Sequence, residues 1–191
     1  LKDNYYYVKS DLFAAFIVRN TDLALPGAYL AFMSPFVWMF ISSYKKLRDF
    51  LIDLKTFTSL IQLEYSGFEG ATVPICTFTI VNAHKPEFKG SYIRLSHFRG
   101  SNTQITKTLE AIKNPDCGWL YSASASDFKK IPGNPIAYWL NDKIRDSFWV
   151  GDSISKAGKA LTGLQTGNTE LFLRHWFEVS YYTIGFGLTR E

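Results

Sequence analysis

Between Lys9 and Asn82 the chain alternates in a rhythm that few folds accommodate: helix, strand, helix, strand, strand, each with its own apolar spacing. Leu12, Phe13, Phe16 and Ile17 recur at i, i+1, i+4 and i+5, which predicts one buried helical face, with Ser10 as its N-cap. Leu25-Pro26-Gly27 supplies a turn, and Ala28 to Met33 is the continuous apolar run expected of a strand buried on both sides of a sheet. Phe36 to Asp53 places Phe40, Tyr44, Leu47 and Leu51 at i, i+4, i+7 and i+11 with Lys45, Lys46, Arg48 and Asp49 between them, an amphipathic helix. Phe57 to Leu63 and Ile75 to Val81 are rich in β-branched and aromatic residues, as strands are, and the loop between them holds Gly67-Phe68-Glu69-Gly70. This is half of a three-layer α/β sheet.

Beyond Asn82 the signals are shorter. Ser91 to Leu95 alternates as a strand, and Arg94, His97 and Arg99 form a small basic cluster that could meet phosphate or simply be solvated. Ser101-Asn102-Thr103-Gln104 has capping-box form, with Ile105, Leu109 and Ile112 along one face of a helix that ends at Asn114-Pro115. Trp119 to Ser122 reads as a strand, Ser126-Asp127-Phe128 as a helical turn broken at Ile131-Pro132-Gly133-Asn134, and Pro135 to Phe148 as a helix with Pro at its first position. From Gly151 to Gly167 glycine, serine, threonine and the lysines Lys156 and Lys159 accumulate. Such a stretch can bring backbone N–H groups and charge to a DNA phosphate, or serve as a hinge.

Composition narrows the class. In 191 residues, 47% of them hydrophobic, there is material for a real core, and most of the 17% that are aromatic are expected inside it. A net charge of +4 suits a polyanionic partner without requiring one. Cys76 and Cys117 lack metal-ligand spacing, His84, His97 and His175 stand far apart, and no apolar run reaches membrane-spanning length. A cytoplasmic protein with reduced thiols, without a metal and without a membrane, is expected.

Two groups of residues carry a resemblance. Ser10-Asp11-Leu12-Phe13 with Phe16-Ile17, Leu25-Pro26-Gly27-Ala28-Tyr29-Leu30-Ala31-Phe32, Trp38 and Tyr44-Lys45-Lys46-Leu47-Arg48 form the first. Gly163-Leu164-Gln165-Thr166-Gly167-Asn168 and Phe172 to Val179 form the second, and Phe128 to Trp139 has the same flavour. In this order they resemble adenine-specific DNA methyltransferases of the NPPY class, above all the large enzymes of phage defence of the BREX or phage-growth-limitation (PglX) type. The resemblance implies an α/β fold: the carboxyl half of a Rossmann-like (class I) methyltransferase sheet over residues 1–98, a helical connector over 99–160, and the beginning of a target-recognition domain over 161–191. The implied activity is methyl transfer from S-adenosylmethionine to adenine in double-stranded DNA, with other proteins of the defence system as partners.

The family's Gly-rich cofactor turn and its Asn/Asp/Ser-Pro-Pro-aromatic tetrapeptide are absent from this sequence; Ser34-Pro35-Phe36 reads as a strand end and Asn134-Pro135-Ile136 as a helix start. Catalytic residues are therefore expected upstream of Leu1, and the chain is expected to be an internal piece without activity of its own. By position, Phe16 matches the aromatic that packs on the cofactor's adenine, against the alternative of a core phenylalanine. Phe68 matches the aromatic that stacks on the flipped target base, against the alternative of a loop anchor. Lys156, Lys159, Thr166, Gly167, Asn168 and Arg174 are the expected DNA contacts, with Thr169 standing where the family pattern has Asn. The rival from another class is a non-catalytic DNA-binding or specificity module that lacks the methyl-transfer motifs. A third is an α/β domain acting on RNA or protein.

Overall fold

The computed structural model describes residues 5–8, 11–65, 73–152, 154–158 and 173–185. Its sheet contains β1 (Tyr29–Pro35), β2 (Thr56–Gln62), β3 (Ile75–Val81), β4 (Gly90–Arg94) and β5 (Leu120–Ala123), side by side in the order β1-β3-β2-β4-β5. β3 runs antiparallel to both β1 and β2, so those two point the same way and cannot touch. β4 lies parallel to β2, and β5 closes the far edge antiparallel to β4. The β2–β4 approach is close: a Cβ at Gly90 would stand 2.6 Å from the Phe57 carbonyl oxygen, so only glycine fits.

Helices α1 (Leu12–Leu23), α2 (Lys45–Leu54) and α4 (Ala125–Lys129) cover one face of this sheet, and α3 (Ser101–Lys113) lies on the other. Strand alternation makes the division plain: Leu60 and Tyr92 enter the larger core with Ile17, Trp38, Leu51 and Phe78, while their neighbours Ile61 and Ile93 meet Ala111, Trp119 and Leu120 opposite. Each aliphatic side chain buried this way contributes roughly 1.5–3 kcal/mol. α5 (Asp142–Val150) ends the first compact unit, which runs to Gly151. The second unit, from Asp152, includes the short α6 (Ile154–Ala157) and single 3-10 turns at Trp176–Glu178 and Tyr181–Thr183.

Several sequence expectations are corrected. Asp11 caps α1, its carboxylate accepting from the Leu12 N–H at 2.7 Å, while Ser10 lies outside the described residues. The buried face of α1 is Ala14, Ala15, Ile17, Val18 and Thr21; Leu12 and Phe16 are exposed, because the two alanines let the helix lie close on the sheet along their own stripe. β1 is not buried on both sides: as the edge strand it turns Tyr29, Ala31 and Met33 outward. α2 begins only at Lys45, after two 3-10 turns over Phe36–Met39 and Ser42–Tyr44.

The helix after β4 is preceded by Gly100 at φ 86°, with no side-chain cap. Its stripe of Ile105, Leu109 and Ile112 faces away from the sheet, since Ala111 and Gln104 take the inner positions and Trp119 packs against its side, donating its indole N–H to the Lys107 carbonyl at 3.0 Å. Pro135 starts no helix. Asn134 sits at φ 52°, and the Ile136 N–H goes to the Met39 carbonyl at 3.0 Å, so this segment is tied to the turn after β1 and the helix waits until Asp142.

Candidate functional site

Because β1, β2 and β4 run in one direction, their carboxyl ends at Pro35, Gln62 and Arg94 gather at one end of the sheet. In open α/β sheets ligands bind outside the carboxyl ends of the strands. The first turn of α1 belongs to this end too, since Phe13 packs on Tyr44 at 5.5 Å just before α2. Phe16 follows one turn later with 57% of its surface exposed. More than half of it open to solvent, it is not a core phenylalanine.

The rest of this end is aromatic and hydrogen-bonded. Trp38 is fully buried and donates its indole N–H to the Ser34 hydroxyl at 3.1 Å, which fixes the strand end where Ser34-Pro35-Phe36 leaves the sheet. Phe40 meets Trp139 edge-on at 5.6 Å, and Trp139 meets Tyr138 at 5.1 Å. Tyr138 stacks on Tyr92 at 4.8 Å and donates its hydroxyl to Gln62 Oε1 at 2.7 Å. Burial pushes the Tyr138 phenol well up, with the nearby charge of Arg94 acting the other way; the group stays protonated and acts as a donor. Arg94 lies over the Trp139 ring, 4.1 Å from its centroid.

One charge holds the frame. Arg48 is 1% exposed and reaches only carbonyl oxygens: Nη1 donates to Trp38 and Ile41, both at 2.7 Å, Nη2 to Gly133 at 2.8 Å, and Nε to Gly133 and Asn134 at 3.2 and 3.1 Å. Burial lowers its pKa and Asp49 opposes this, but a guanidinium keeps its proton in either case. Cys76 is buried in β3 beside Ser34, and desolvation pushes its thiol up to about 12, so it packs and does not react. Among the described residues no group of three or more His, Cys, Asp or Glu could hold a metal ion, and no helix is long and apolar enough to cross a membrane.

The remaining sequence-derived positions lie outside the described residues or in the second unit. Phe68, Lys159, Thr166, Gly167 and Asn168 lie outside the described residues. Lys156 is exposed in the second unit and paired with Asp152 one turn earlier. Arg174 is exposed in the same unit, with Nη1 donating to the Leu173 carbonyl at 2.9 Å. Tyr138 and Trp139, which fall within the segment expected to be a helix, instead line the carboxyl ends of the strands; two large aromatics following Asn134-Pro135 were the available signal.

A mixed open sheet flanked by helices on both faces, with aromatic residues gathered at its strand ends, is the class I, Rossmann-like methyltransferase fold. The comparisons with known proteins agree. Residues 1–68 match the family model described as Eco57I restriction-modification methylase. Over 182 residues, 93% of its length, the chain is 32% identical to adenine-specific methyltransferase PglX of Lacticaseibacillus casei (strain Zhang), and over 178 residues 34% identical to adenine-specific methyltransferase BrxX of Escherichia coli O9:H4 (strain HS). The chain is related to the PglX and BrxX adenine-specific DNA methyltransferases, and spans 15% and 14% of those two proteins. Among solved structures it is similar to a type I restriction-modification methyltransferase subunit from Streptococcus thermophilus, at 19% identity and a TM-score of 0.43 over 56% of this chain and 25% of that one.

Proposed function

We propose that this chain is a segment of the catalytic region of a DNA adenine methyltransferase of restriction-modification or phage defence. The intact enzyme would pass the methyl group of S-adenosylmethionine to the exocyclic amino group of adenine in duplex DNA. The observation that carries the proposal is identity of 32% to PglX along 93% of the chain, through the sheet and beyond it. The residues present fit one part of the cofactor: Phe16, exposed at the ligand end of the sheet, is suited to pack on its adenine ring. S-adenosylmethionine supplies the methyl group, and its sulfonium would be held by residues that this sequence does not carry. Phe68, six positions beyond the end of β2, has the part of stacking on the extruded adenine. Lys156, Lys159, Thr166, Gly167, Asn168 and Arg174 would contact the DNA backbone. The domain division at residues 98 and 160 belongs to the same proposal, as does a place in the cytoplasm beside other defence proteins.

The test has two arms. The isolated 191 residues should show no turnover with S-adenosylmethionine and DNA; measurable methylation would overturn the placement of the tetrapeptide outside them. In the intact enzyme Phe68→Ala should weaken capture of the target base far more than Phe68→Trp, which keeps a π-face. Phe16→Ala should raise the KM for cofactor and leave that for DNA unchanged. Equal losses for both Phe68 variants would assign the residue to the loop's own packing.

A further inference from the structure

Arg94 is the one member of its basic cluster that the fold prepares. His97 and Arg99 are exposed on the turn that follows β4, whereas Arg94 is half-buried, its guanidinium resting on the Trp139 ring at 4.1 Å. That contact fixes the plane of the fork and removes much of the rotamer freedom an arginine otherwise loses on binding. Among the described residues Arg94 has no carboxylate partner and no side-chain hydrogen bond, and its Nε is buried without an acceptor. Most buried guanidinium nitrogens find an acceptor, and the residue as a whole is only half-buried.

The position is equally specific. Arg94 is the last residue of β4 and pairs in register with Gln62, the last residue of β2, from which the chain continues to Phe68. We infer that Arg94, laid flat on Trp139 at the carboxyl ends of β2 and β4, binds a phosphodiester of the DNA strand beside the nucleotide that is turned out for methylation. The inference rests on the adenine methyltransferase reading and gives it a backbone anchor. A planar fork matches two phosphate oxygens, and the anion would supply the missing countercharge. Extrusion of a base needs the flanking backbone held.

The intact methyltransferase, with Arg94→Gln, Arg94→Lys and Trp139→Phe, decides the matter through duplex binding measured over a salt series. Arg94→Gln should weaken binding about tenfold at low salt and make the plot of log affinity against log salt shallower by about one, the signature of one lost phosphate contact. Arg94→Lys should keep the slope while losing affinity, and Trp139→Phe, which keeps a ring beneath the guanidinium, should stay near wild type. The KM for S-adenosylmethionine should not move in any of them. An unchanged salt slope in Arg94→Gln, or a rise in the cofactor KM in place of weaker DNA binding, would overturn the inference, the second by pointing to the cofactor's carboxylate as the anion. If the wild-type protein binds DNA but methylates no adenine, the proposed function falls, and the slope still decides Arg94.

Discussion

At the scale of single residues, Arg48 is the most consequential side chain of the first unit. It satisfies the carbonyls of Trp38, Ile41, Gly133 and Asn134 at once, and so ties the turn after β1 to a segment some ninety positions later. Arg48→Leu fills the space but leaves four carbonyls without their donor. We expect a loss of about 3 kcal/mol in urea unfolding, with only part recovered by Arg48→Lys, whose ammonium cannot span the same fork. A loss below about 0.5 kcal/mol would mean that water replaces the guanidinium without cost. The sequence placed Arg48 among the solvated charges of an amphipathic helix. Its spacing said otherwise: it lies four residues after Tyr44 and next to Leu47, both buried, on the stripe that faces the core. What no spacing could show is a set of backbone carbonyls waiting for it from a loop so far along the chain.

Elements were legible in kind and misjudged in orientation. The strands at Thr56–Gln62 and Ile75–Val81 lie within a residue of where β-branched and aromatic runs put them. The helices fared differently, because an apolar stripe says that a face is sticky, not that something covers it. Ile105, Leu109 and Ile112 on α3 and Leu12 and Phe16 on α1 are such stripes left open. α4 was seen as a turn at Ser126, but its cap is Ser124, whose N–H and hydroxyl both donate to Asp127 Oδ2, at 2.8 and 3.0 Å. Arg145 of α5 closes on the same carboxylate at 3.0 Å.

Burial alone would push the Asp127 carboxyl up, but the two bonds from Ser124 and the charges of Arg145 and Lys130 outweigh it and hold it below its ordinary value. A carboxylate depressed in the folded state stabilises above its unfolded pKa, about 3.9, and loses that contribution as pH falls through the folded value. Asp127→Asn should therefore melt lower than the parent chain at pH 7, and the gap should close as the pH is taken well below the ordinary carboxylate value. A gap of constant size at both pH values would reduce Asp127 to a neutral hydrogen-bond acceptor.

For the molecule as a whole, the open side of β1 matters most. Tyr29 and Met33 are 77% and 60% exposed on a strand whose outer edge has no pairing partner among the described residues. Such an edge with apolar flanks invites pairing between copies. The 191-residue chain is expected to self-associate at high concentration, and Met33→Lys should suppress this in light scattering without lowering the melting temperature. Association unchanged by the lysine would put the contact elsewhere, for instance on α3.

The insertion of β3 between β1 and β2 sets an order of events during synthesis. Among the described residues, every sheet hydrogen bond of β1, and one whole side of β2, waits for residues 75–81. As the nascent chain leaves the ribosome, β1 emerges some forty positions before β3, the strand it pairs with here. At about 5–20 residues per second that is a lag of several seconds between β1 and the partner strand that fixes its register.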